Sequence, residues 1–260
     1  MAMTIPEMVR FFDEQAQENS RWVASHAQAG NLPMVEVNQT FYLSNMLTSA
    51  LVQWRARLGS PSETMAQLVE GTSGFLAVLE RLSPNNPAWK RFCFEVVDYA
   101  KILLGASVDA DALRSCLPES MPSDRELGSH SLGERLPDMA VILRLVTGEK
   151  WPLWDALIEK RSSRKMLRLW SENYRAYWDL IGKAEVKDVA AVGETALRIS
   201  EMFDRRERNP YYANGLPYEG GGPHNDIVVD FRLAAILRHC GHRGIEPPLP
   251  EGFAHRWPKA

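Results

Sequence analysis

The residues whose types and spacing could do chemistry are few, and they fall in three places. In Ser129-His130-Ser131-Leu132-Gly133 the order matches the nucleophile elbow of α/β-hydrolases, with Ser131 as the attacking hydroxyl. That elbow needs a glycine where Ser129 stands and a buried strand just upstream. Pro122-Ser123-Asp124-Arg125-Glu126-Leu127 is no such strand, so the stretch reads as a helix-entry turn capped by Ser129 or Ser131. A second group is His224, Asp226 and Asp230, with His239 and His242 beyond them. Asp226 and Asp230 stand four apart, on one face of a helix, and two carboxylates with an imidazole are a workable metal set. The His-Glu-x-x-His spacing of helical metalloenzymes is missing. The reading adopted is that Asp226 caps the last helix at its positive end, while Asp230, one turn in, pairs with Arg205, Arg206 or Arg208. The third place is Gly220-Gly221-Gly222, which leads into a helix as anion-binding turns do but lacks the Gly-Lys-Ser/Thr ending of a phosphate loop. Its glycines read as conformational. No catalytic residue, metal ligand or cofactor is assigned.

Those last two groups belong to one stretch, 205–241, in which a charged helix end gives way to a loop dense in Tyr, Gly and Pro. Tyr211, Tyr212 and Tyr218 stand among Pro210, Pro217 and Pro223, with Glu219, His224 and Asp226 alongside. Tyrosine supplies large contact area at low entropic cost, so these six residues (Tyr211, Tyr212, Tyr218, Glu219, His224 and Asp226) are the expected partner-binding set. Arg205, Arg206 and Asp230 are expected to be structural. The alternative is a small helical enzyme or ligand-binding regulator with a pocket under the 209–226 loop.

The elements that must position this loop are helices throughout. Apolar residues recur at helical spacing over 4–29 (Phe11, Phe12, Ala16, Trp22, Val23) and over 35–58 (Val37, Phe41, Leu43, Leu47, Leu51, Trp54). Ser60-Pro61-Ser62-Glu63 is a start signal for a third helix to about 82, in which Gly71 and Gly74 are weak points. Further helices are expected over 88–104, 109–116, 132–146, 151–158, 165–181, 186–208 and 225–239, with Gly182 placed to stop the one over 165–181. Strand signals are nearly absent; Val228-Val229 sits inside a helical period. The expected class is all-α, a bundle or layered hairpins. Proline-rich 117–124 marks a divide between an N-terminal half, 1–117, and a C-terminal half, 125–260, with packing as a single domain the alternative. Ala140-Val141-Ile142-Leu143-Arg144 is echoed by Ala234-Ala235-Ile236-Leu237-Arg238, which raises the possibility of two similar helical units. Trp257, after Pro247-Pro248-Leu249-Pro250, is placed to strap the tail onto the body.

Bulk properties exclude other classes. A chain of 260 residues carrying a net charge of −3 has ample surface to bury and no basic stripe for a nucleic-acid backbone. Acidic residues precede any apolar run at the N-terminus, and no run reaches the ~18–20 residues of a membrane span. Three cysteines, Cys93, Cys116 and Cys240, suit a reducing compartment, so cytoplasm is expected, without nucleic-acid or membrane partners.

One family comparison is possible. The Arg205-Arg206 helix end, Tyr211-Tyr212 followed by Gly215, Tyr218-Glu219-Gly220-Gly221, and Asn225-Asp226 entering Val229-Asp230-Phe231-Arg232-Leu233-Ala234-Ala235-Ile236-Leu237 together resemble bacterial immunity proteins of polymorphic-toxin systems. The likeness covers about the last third of the chain. It implies an all-helical cytoplasmic protein that binds one secreted toxin domain, delivered by contact-dependent or type VI secretion, and neutralises it stoichiometrically without catalysis.

Overall fold

A computed structural model describes residues 4–82, 94–123, 135–163, 168–207 and 229–257. Every regular element among them is an α-helix: ten, and no strand. The chain is all-α.

The first three helices start on local signals. In α1 (Ile5–Gln28) the Glu7 carboxylate accepts the Thr4 backbone N–H at 2.7 Å and the Thr4 hydroxyl at 2.8 Å, with Pro6 beside the cap. α2 (Leu32–Ala56) carries Pro33 at its start and ends on left-handed Arg57, φ 55°. α3 (Pro61–Leu82) follows Ser60, whose hydroxyl receives the Glu63 N–H at 3.4 Å. α4 is Phe94–Leu104. Gly71, expected as a weak point, lies inside α3 and makes room for a neighbouring side chain. A Cβ there would lie 2.3 Å from the Tyr42 hydroxyl, which donates to the Gln67 carbonyl at 3.2 Å.

These four helices form the body of one compact unit, Met1–Leu104 with Pro217–Val229 and Trp257–Ala260; the other unit is Gly105–Leu216 with Asp230–Arg256. In the first unit α1 and α2 pair as an antiparallel hairpin and α2 packs on α3. Phe12, Ala16 and Val23 face inward from α1, and Leu47 and Leu51 from α2. A polar seam crosses the same helices. Ser49 donates to Asp13 at 2.6 Å, and the Gln53 amide donates to Ser49 at 3.1 Å and to Thr64 at 3.0 Å. Trp257 packs edge-on against Trp54, centroids 4.9 Å apart, as the strap expectation requires.

The second unit comprises α5 (Ala110–Cys116), α6 (Leu136–Thr147), α7 (Trp154–Ser162), α8 (Arg168–Glu185), α9 (Val189–Glu207) and α10 (Phe231–His242). α8 is the centre, packed on by α6, α7, α9 and α10. Its Trp178 stacks on Trp154 of α7 at 4.2 Å. Three sequence expectations change here. The divide falls at 104/105, and the described part of the 117–124 stretch is tied into the second unit: the Trp151 indole N–H donates to the Pro118 carbonyl and the Lys160 ammonium to the Pro122 carbonyl, each at 3.2 Å. Gly182 does not stop its helix, which runs on to Glu185. A Cβ at 182 would lie 2.9 Å from the Arg144 guanidinium, so the glycine is the recess into which Arg144 fits. The last helix begins at Phe231, and Val229 lies outside it.

Candidate functional site

The polar side chains that fold back into the second unit converge on α8. Asp138 lies in the first turn of α6, where a carboxylate suits the positive helix end. It is buried, and its Oδ1 accepts from Arg232 Nε at 2.8 Å. Its Oδ2 accepts from Arg232 Nη2 at 3.1 Å and from the Tyr174 hydroxyl at 2.8 Å. The pair is bidentate, the geometry in which a guanidinium and a carboxylate bind best. Burial pushes the Tyr174 hydroxyl well above its usual range, against the pull of Arg232, so it stays a proton donor to Asp138.

One turn along α8, Tyr177 donates to Asp230 Oδ2 at 2.6 Å. Asp230 is the N-cap of α10: its Oδ1 accepts the Leu233 N–H at 3.1 Å. The Asp230 N–H donates to His255 Nδ1 at 2.9 Å. That nitrogen therefore carries no proton, and Nε2–H is left to donate to the Ser200 hydroxyl of α9, 3.0 Å away. Phe203 and Phe253 meet the His255 ring edge-on at 5.3 and 5.4 Å. A separate clamp holds the other side of α8. Arg144, buried on α6, donates Nε and Nη2 to the two oxygens of Glu185 at 2.8 and 2.7 Å and Nη1 to the Trp178 carbonyl at 2.8 Å. The Arg144 hydrogen bond pulls Glu185 below the usual carboxylate range.

Chemically this is a set of donors and acceptors committed to one another. The carboxylates receive their protons from Arg, Tyr and backbone groups, and the hydroxyls serve as fixed donors. What the arrangement does is hold α6, α8, α9, α10 and the 253–255 turn in register.

The structure also redistributes the residues read from the sequence. Asp230 is the cap of its helix, where the sequence placed it one turn in, and it accepts from Tyr177. Arg205 and Arg206 have backbone positions in the last turn of α9, and their side chains lie outside the described part, as does Arg208. Tyr211, Tyr212, Tyr218, Glu219, His224 and Asp226, the 209–226 loop, the glycines at 220–222 and the serines at 129 and 131 lie outside the described residues. His239 and His242 close the far end of α10, so His239 is about 13 Å along the axis from Asp230, and they cannot share an ion with it. Among the described residues no three His, Cys, Asp or Glu side chains converge as a metal site requires. Burial drives the Cys240 thiol up to about 11, the position of an inert core cysteine.

Sequence reading missed the Asp138–Arg232 pair, for which one signal existed. Asp138 and Arg232 each stand two residues before the echoed segments at Ala140 and Ala234. The helices that resemble each other are the helices that meet through that pair.

A second finding lies on the surface of the first unit. Phe11, Trp22, Val37 and Phe41, counted with the apolar helix faces, are exposed: Trp22 by 49% and Val37 by 45%, with Met34 beside them at 39%. Trp22 stacks on His26 at 5.7 Å and is otherwise presented outward. No described helix is long and apolar enough to cross a membrane. Comparison with protein-family models, with curated proteins and with solved structures finds no match to this chain.

Proposed function

We propose that this chain is a non-catalytic binding protein that neutralises a cognate secreted toxin domain by stoichiometric association in the cytoplasm, as immunity proteins do. The observation that carries the reading is the outward-facing apolar row of the α1–α2 hairpin. Monomeric proteins scatter exposed apolar side chains singly, and a cluster of large ones in two adjacent helices is the mark of a protein contact. The polar groups around α8, engaged with one another, supply support for the fold and leave recognition to the surface. The interface is thereby assigned first to the α1–α2 hairpin, with the Tyr211, Tyr212, Tyr218, Glu219, His224 and Asp226 set as a second contact.

The test is a growth assay. The reading predicts that the neighbouring gene encodes a large secreted protein, whose C-terminal domain is induced in a bacterial host with and without this chain. Protection at equimolar levels is expected, with loss of protection in a folded Trp22→Ser/Val37→Ser variant. Protection by trace amounts of the chain, or a neighbouring gene of unrelated type, overturns the reading and favours an enzyme or ligand-binding regulator.

A further inference from the structure

The exposed row has a direction and a charge pattern. At 100° per residue, Phe11, Glu18 and Trp22 fall within about 40° of one another on α1, with Gln15 beside them. Glu7 and Glu14 flank that line, and all three glutamates are exposed; Arg10 and Arg21 stand further round the helix. On α2, Met34, Val37 and Phe41 stand at i, i+3 and i+7. The Ser49–Asp13 hydrogen bond and the Gln53–Thr64 bond mark the flank of the hairpin turned to α3. The aromatic line of α1 and the apolar line of α2 both lie on the opposite flank. Trp22 and Val37 are almost equally distant from the Gly30 turn, so the hairpin sets them at one height. The chain has no lysine before Lys90.

We infer that this face takes an amphipathic helix of a partner protein whose apolar stripe is bordered by Lys or Arg. This rests on the proposed toxin-binding function and names the partner chemistry. Two neighbouring rows at helical spacing form the kind of shallow trough into which a third helix lays its apolar face. Glu14 and Glu18 edge that trough, with Glu7 further along α1, so a cationic border on the incoming helix is attracted and an acidic one repelled. For a toxin that acts on a polyanion, such a cationic helix would be part of its own substrate surface, and occupying it would block the toxin.

The probes are two synthetic helices of about five turns with the same leucine stripe, one bordered by lysine and one by glutamate. Each is titrated against the full chain at about 0.05 M salt, where exposed charges are weakly screened. The lysine helix is expected to bind one to one, at least about tenfold more tightly than the glutamate helix. Glu14→Lys with Glu18→Lys should abolish or invert that preference, and Trp22→Ser should weaken both probes. Equal binding of the two helices, indifference to the charge reversal, self-association lost in Trp22→Ser, or displacement of the probe by phosphatidylcholine vesicles would each overturn the inference. In the growth assay, protection lost in Trp22→Ser/Val37→Ser but kept in Glu14→Lys/Glu18→Lys leaves the toxin-binding reading standing and removes the basic helix. No protection by the natural chain, with the probe preference intact, removes the toxin-binding reading and retains the basic-helix site.

Discussion

At the scale of single residues, the second unit depends on charges taken out of water. Asp138 is one of few carboxylates buried among apolar neighbours, and Arg232 offsets its desolvation through two hydrogen bonds. Asp138→Ala strands the guanidinium, so a loss of about 3–5 kcal/mol is expected in urea denaturation. Asp138→Leu with Arg232→Met and Tyr174→Phe should recover most of it, because the cost lies in the unpaired charge and the unpaired hydroxyl. His239 sets a different dependence. Burial, reinforced by Arg243 and His242, lowers its pKa below the usual 6.5. As pH falls through about 6.5 the unfolded chain binds this proton first, so stability drops there and levels off once the folded-state value is passed. Glu185, also lowered, adds a second loss that begins only below 4.5. A pH series of melting temperatures should show the upper step in the natural protein and lack it in His239→Gln. An unchanged upper step would assign it to another group.

At the scale of elements, Gly182 shows how a helix can keep a glycine without ending. Gly→Ala in a helix interior ordinarily adds up to about 1 kcal/mol. Here the new methyl meets Arg144, and Gly182→Ala is expected to cost about 1–3 kcal/mol, measured by denaturation. In an Arg144→Ala background the same substitution should turn neutral or stabilising. The contrast also explains what the sequence could reveal. The start of α3 was legible from Ser60-Pro61-Ser62-Glu63, since caps are local chemistry, whereas the last helix, expected from 225, begins at Phe231. The end of α8 was not legible, because Gly182 looks identical whether it terminates a helix or admits a side chain from 38 residues upstream. The covered side of α1 was equally hidden. Phe11 and Phe12 are neighbours in sequence and about 100° apart on the helix, so period alone cannot say which one another helix will cover. The Asp138–Arg232 pair spans 94 positions, a distance over which no local pattern carries information.

At the scale of the whole molecule, neither unit is a single run of chain. The first returns for Trp257 and the second resumes at Asp230 after an interruption. The Trp54–Trp257 contact has a consequence for synthesis. Trp54 leaves the ribosome about two hundred residues before its partner ring is made. At about 5–20 residues per second, that is an interval of roughly 10–40 s. Throughout it Trp54 lacks the Trp257 ring, long after local helix formation is complete. The nascent chain therefore holds its helices for far longer than they take to fold before this last ring can close on them.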